Sequence, residues 1–129
     1  KKGDSLIGIL IDMDDFKQIN DQYGHYAGDK ALKLFGSVLR KHMAEVGFAV
    51  RYGGDEFILI TKESETVAEG VIASIVNEID AINKTGKNEL HLGFSYGMAN
   101  MNSNNNMDEF LRNMDAKMYE MKRNRKLQN

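Results

Sequence analysis

The sequence predicts an α/β domain built on one sheet with helices packed against it, in the order β-α-α-β-β-α-β-α. Three observations carry this. Ser5 to Met13 (SLIGILIDM) is a short, nearly continuous apolar run, with the length and β-branched content of a strand buried on both faces. Gly47 to Tyr52 and Phe57 to Thr61 are apolar runs flanking a Gly-containing tip, which reads as a β-hairpin. Around them lie segments whose apolar residues recur at helical spacing. Strands interleaved with helices, yet including an antiparallel pair, give a mixed, α+β-like sheet.

Length and composition bound the rest. At 129 residues the chain is one domain with a single core. Its 42% hydrophobic and 28% charged content excludes wholesale disorder and fibrous classes. A net charge of -2 gives no global field for nucleic acid, so no nucleic-acid partner is expected. No apolar run approaches the roughly 20 residues that span a bilayer, so no direct membrane contact is expected either. The chain has no cysteine, which removes disulfide and thiolate chemistry and fits a reducing compartment.

In chain order, the first strand ends in Asp12-Met13-Asp14-Asp15, an acidic cluster at a strand end, where sites are commonly built. Phe16 to Gly24 reads as a short helix or a turn, closed by Gly24. A glycine-punctuated loop follows from Gly24 to Asp29, and then a helix from about Asp29 to Met43. Its stripe is Ala31, Leu32, Leu34, Phe35, Val38, Leu39 and Met43. Asp29 stands where a carboxylate caps free backbone N–H groups. After the hairpin, Ser64 caps a helix to about Asn83, and its stripe from Val67 to Ile82 is core. Thr85 to Glu89 is a polar turn, and His91 to Met98 (HLGFSYGM) alternates as a strand. Asn100 to Asn106 is an Asn/Ser-rich loop. Asn106 with Glu109 resembles a capping box opening the last helix, striped by Phe110, Leu111, Met114, Met118 and Met121.

The chemistry concentrates in two acidic places. Asp12 closes the first strand, and Asp55 with Glu56 crowns the hairpin beside Gly53 and Gly54. Adjacent carboxylates repel unless a cation or proton offsets them. If strand and hairpin are neighbours, the carboxylates converge into a hard, oxygen-only site that suits Mg²⁺ or Mn²⁺. Glycine permits positive φ and leaves the backbone open to a phosphate-bearing ligand. Other metal and phosphate sites fail. An EF-hand beginning at Asp12 would need glycine where Lys17 stands and a glutamate at Gln22 or Tyr23. His25, His42 and His91 are scattered without a thiol, against zinc, and there is no P-loop. The last helix ends in Lys122, Arg123, Arg125 and Lys126, cations that complement the helix dipole or neutralise phosphate.

Together these residues resemble the GGDEF family of diguanylate cyclases. Asp12 to Asp21 (DMDDFKQIND) is similar to the family's first motif, followed by Gly24-His25 and Gly28-Asp29, and Arg51 to Phe57 is its signature. Ser95 to Ala99 and Tyr119 to Lys122 are similar to its last strand and helix, so the match covers nearly the whole chain. The resemblance implies a largely antiparallel five-stranded sheet of the ferredoxin-like, nucleotidyl-cyclase palm type. It implies condensation of two GTP into cyclic di-GMP with release of pyrophosphate. Asp12, Asp55, Glu56 and the Met13 carbonyl become the metal ligands for Mg²⁺ or Mn²⁺. Asp55 or Glu56 becomes the base, with Lys17 beside the reacting phosphates. Asn20 and Asp29 become the guanine-reading pair, and His25 has either a substrate or a loop role. Gly53, Gly54, Lys122 and Lys126 become phosphate-side residues.

The resemblance also implies a homodimer, since each domain supplies half a site. Residues 1–129 are expected to be a single catalytic domain, lacking the usual N-terminal start and any sensory or dimerising region. A cytoplasmic location is expected, free or as the cytoplasmic part of a membrane-anchored protein. The alternative is a non-catalytic GTP- or cyclic-dinucleotide-binding regulatory module on the same fold. One departure is plain. Where the family often carries an Arg-x-x-Asp product-inhibition motif, this chain reads Ala44-Glu45-Val46-Gly47, so no feedback through that site is expected.

Overall fold

The computed structural model describes residues 6–85 and 91–128. Its elements are β1 (Ile7–Met13), α1 (Phe16–Tyr23), α2 (His25–Met43), β2 (Gly47–Arg51), β3 (Glu56–Thr61), α3 (Glu65–Thr85), β4 (Phe94–Asn100) and α4 (Met107–Gln128). The strands form one sheet in the order β2-β3-β1-β4, and every pairing is antiparallel. Four strands are present among the described residues, not the five that the family resemblance implied. Only four segments of the described chain make ladder pairs, and the sequence itself offers only four strand-like runs.

β1 is central and buried at all of its positions, as a strand covered on both faces must be. Ile7, Ile9, Ile11 and Met13 join Phe57, Leu59 and the stripes of α2 and α3 in the larger core. Phe35 of α2 ties the sheet to that layer, with its ring 5.7 Å from Phe57 and 5.4 Å from Phe94. Leu10, Ile58 and Ala99 face the other way, under Phe110, Met114 and Met118 of α4. Each of the larger side chains contributes about 1.5–3 kcal/mol on full burial. The strand period of two then decides where the acids go. Asp12 shares the α4 face with Leu10, opposite Glu56 on β3 and Ser95 on β4.

Two boundaries differ from the sequence reading. α2 begins at His25, so there is no loop over Gly24 to Asp29, and Asp29 is an exposed residue inside the helix and caps nothing. Gly24, at φ 95°, makes the whole break between α1 and α2. Gly28 is helical for a packing reason, because a Cβ there would lie 1.8 Å from Asn20 Oδ1. β4 starts at Phe94, later than His91. Asn83 holds Leu92 outside the ladder, accepting from its N–H at 2.9 Å and donating to its carbonyl at 2.8 Å. The Ser64 cap is present, with the Val67 N–H donating to Ser64 Oγ at 3.2 Å. Asn106 accepts from the Glu109 N–H at 2.9 Å, while Glu109 reaches back to the Asn105 N–H at 2.6 Å. Most of the polar turn assigned to Thr85–Glu89 lies outside the described residues.

Candidate functional site

The hairpin turn, residues 52–55, is tied to the end of β1. The Met13 N–H donates to the Asp55 carbonyl at 3.2 Å, and the N–H groups of Tyr52 and Gly53 donate to the Glu56 carbonyl at 2.8 and 3.3 Å. Arg51 braces the tip from below. Its Nε donates to the carbonyls of Gly53 and Gly54 at 3.2 and 3.1 Å, and its Nη2 to Gly54 at 2.6 Å. Neither Gly53 nor Gly54 uses the positive φ that glycine permits. Gly54 provides open backbone, since nothing lies within 4 Å of a Cβ placed there, whereas a Cβ on Gly53 would meet Glu56 Oε1 at 3.2 Å.

Behind this turn, Asp12 is only 9% exposed. Lys122 of α4 approaches it, with Nζ 2.5 Å from Oδ2. The other oxygen, Oδ1, is buried without a hydrogen-bond partner among the described residues. An unpartnered buried acceptor costs about 1–3 kcal/mol, and more when it is charged. Burial pushes the Asp12 carboxyl up to about 6, against the opposing hydrogen bond from Lys122, and the neighbouring Asp55 carboxyl pushes the same way. Burial also raises Glu56, helped by the charges of Asp55 and Asp115. Acids held above their ordinary range beside one another want a cation. An orphaned carboxylate oxygen in an oxygen-only set fits a hard divalent ion such as Mg²⁺ or Mn²⁺. Asp12, Asp55 and Glu56 do not already close into a three-side-chain metal cage among the described residues.

A cleft of about 700 Å³ opens in front of Asp55. Met13, Lys17, Asp55, Lys122 and Lys126 line it, together with Asp14, Asp15, Phe16, Gln18, His91, Tyr119, Arg123 and Arg125. One wall is the start of α1. Asp15 there has a left-handed backbone (φ 58°), and no side chain caps the helix. The first-turn N–H groups of α1 have no acceptor within the helix, which favours an anion at that wall. Asn20 lies one turn further along α1, about 6 Å by helical rise. Its amide fills the space left by Gly28, next to Asp29. The structure thus gathers Asn20 and Asp29 at the α1–α2 elbow, with exposed His25 at the start of α2.

Several contacts here escaped the sequence reading, although the residues that make them stood in its motifs. Asp14 accepts from Ser95 Oγ at 2.8 Å and pairs with Arg125 at 2.8 Å, which anchors the end of α4 over the site. Tyr119 shares the cleft face of α4 with Lys122 and Lys126, and that helical spacing was the available signal. The bracing role of Arg51 left none beyond its place beside the tip.

The family model described as diguanylate cyclase, GGDEF domain, matches residues 1–128. The chain belongs to the GGDEF domain family. This GGDEF domain is 31% identical over 125 residues to the probable diguanylate cyclase DgcJ of Escherichia coli (strain K12), covering 97% of the chain and 25% of DgcJ. It is 30% identical over 122 residues to diguanylate cyclase DgcS of Shewanella oneidensis, covering 95% of the chain and 40% of DgcS. The domain therefore spans well under half the length of either relative. Its fold is similar to the GGDEF domain of DgcB from Caulobacter crescentus, solved in complex with c-di-GMP. There the TM-score is 0.83 at 29% identity, over 95% of this chain and 74% of that one. No helix among the described residues is long and apolar enough to cross a membrane.

Proposed function

We propose that this domain is the catalytic half-site of a diguanylate cyclase, joining two GTP into cyclic di-GMP with release of pyrophosphate. The observation that carries the reading is the meeting of Asp12 and Asp55 behind a cleft walled by Lys17, Lys122 and Lys126. The triphosphate lies along that cleft, with the α1 N–H groups and the three lysines offsetting its charge. Guanine extends toward the α1–α2 elbow. There the Asp29 carboxylate accepts from the base's N1–H and N2 amine, donors that adenine does not offer in that arrangement, while the Asn20 amide completes the edge. His25 stands at the rim of this region. Gly53 and Gly54 let the polyphosphate pass close to the turn.

Asp12, Asp55 and the Met13 carbonyl, with Glu56 alongside, would hold Mg²⁺ or Mn²⁺. When bound, the ion supplies charge stabilisation on the phosphate oxygens. The carboxylate of Asp55 or Glu56 takes the proton of an incoming 3′-hydroxyl. The 3′-oxygen bonds to the α-phosphorus of the facing GTP as the bond to pyrophosphate breaks, a step governed by positioning and charge. Each domain holds one GTP, so two domains must face each other for the second bond to close. Further chain that aids dimerisation and carries signal input, and a cytoplasmic setting that supplies GTP, fit the same architecture.

Product formation per domain, measured against protein concentration with GTP and Mg²⁺, tests this reading. Specific activity that climbs with concentration supports a site shared by two domains. GTP binding without product at any concentration supports the regulatory-module alternative. Asp29→Ser with unchanged preference for GTP over ATP contradicts the guanine assignment.

A further inference from the structure

We infer that Lys122 is a built-in counter-ion that holds Asp12 closed to a divalent cation until a polyphosphate draws its ammonium away. The inference rests on the reading of Asp12 and Asp55 as metal carboxylates. Lys122 Nζ sits 2.5 Å from Asp12 Oδ2, so one oxygen of the carboxylate is taken while Oδ1 has no partner among the described residues. An ammonium on one oxygen repels a divalent ion approaching the other, and partial burial weakens the screening between them. The same side chain lines the cleft and is 28% exposed, so its ammonium can reach a ligand there without moving the helix. The helix itself is pinned close by, where Arg125 pairs with Asp14 at 2.8 Å and Ser95 holds the other Asp14 oxygen. A fixed backbone with a flexible four-carbon stem gives Lys122 two stations, Asp12 in the empty protein and phosphate in the loaded one. Asp55 and Glu56 add negative charge around Asp12, so a departing lysine leaves a strongly cation-seeking group behind. Metal and nucleotide therefore enter together.

Mn²⁺ binding to nucleotide-free protein, read from loss of the free-ion EPR signal, tests this without any turnover. The titration is run at about pH 8, above the range in which carboxylates protonate. Lys122→Gln is expected to lower the Mn²⁺ Kd about fivefold or more. Lys126→Gln removes a cation from the same cleft but not from Asp12, and should change it less than about twofold. Circular dichroism melts verify folding, and Lys122→Met, which keeps the apolar stem, serves if the glutamine variant does not fold. Equal affinity in wild type and both Lys122 variants overturns the counter-ion role and leaves the metal carboxylates standing, as does an equal gain from Lys126→Gln. A gain in Lys122→Gln that survives the added change Asp12→Asn overturns both, because the ion then binds elsewhere. Absence of Mn²⁺ binding in every variant also overturns both.

Discussion

The Met13 N–H donates to the Asp55 carbonyl at 3.2 Å, and that bond joins the two acidic segments of the chain. Asp12 precedes one end of it and Glu56 follows the other, facing each other across β1 and β3. A hairpin turn 42 residues downstream is thereby fixed against the end of the central strand. The site is therefore a consequence of sheet register, and disturbing the turn should disturb chemistry before it disturbs folding.

Arg51→Ala tests that separation. The guanidinium donates to two exposed turn carbonyls that water can also satisfy, so its loss should cost at most about 1 kcal/mol of stability. The Gly53-Gly54 tip beside Asp55 then loosens, and kcat/KM for GTP should fall about tenfold or more. Urea midpoints and turnover measured on the same preparations decide it, and parallel losses would contradict the turn-bracing account.

Gly28→Ala should act on the base end alone. The new methyl would meet Asn20 Oδ1 at 1.8 Å, so the amide must leave its place between α1 and α2. GTP affinity should drop about tenfold, the scale of one lost charge-adjacent hydrogen bond, while Mn²⁺ binding at Asp12 stays unchanged. Calorimetric titration with GTP and with Mn²⁺ separates the two effects.

Asp12 gives a pH signature. Its carboxyl titrates near 6 in the folded protein against 3.8 ordinarily, so the folded state favours the neutral form. The stability this contributes is complete below about pH 3.8 and is lost as pH rises through about 6. Asn cannot titrate. Between about pH 4 and pH 7 without divalent ions, Asp12→Asn should gain roughly 1–3 kcal/mol relative to wild type. Urea denaturation at both pH values reads the difference, and a gap independent of pH would contradict burial as the dominant influence on the Asp12 carboxyl.

Much of this was legible in the sequence because apolar period reports burial directly. The all-buried β1, the hairpin and the stripes of α3 and α4 follow from spacing alone. The start of α2 was not legible, because Gly24 and Gly28 look alike in sequence although one breaks the chain and the other makes room for Asn20. The start of β4 was hidden because side-chain bonds from Asn83, on α3, hold Leu92 out of the ladder. Residue types identified the acids and lysines, but not the pairing of Lys122 with Asp12 or of Arg125 with Asp14. Those contacts span more than a hundred residues and exist only once α4 lies across the sheet.

Product feedback offers a further prediction. Ala44 ends α2 and Gly47 begins β2, both exposed and neither carrying a charge, where the family often has Arg and Asp. Cyclic di-GMP should show no tight binding at this face, and Gly47 has no room for the family's aspartate, since a Cβ there would meet the Ile60 backbone carbonyl. Titration of the wild type with cyclic di-GMP measures this, and tight binding to the face would contradict it.

The most direct test of the central claim is cyclic di-GMP formation from GTP and Mg²⁺ by the domain fused to a dimerising coiled coil. Asp55→Ala and Glu56→Ala fusions are assayed alongside. Product is expected from the wild-type fusion, with a loss of about a hundredfold or more in each variant. A wild-type fusion that binds GTP but makes no product would contradict it and leave a nucleotide-binding module in its place.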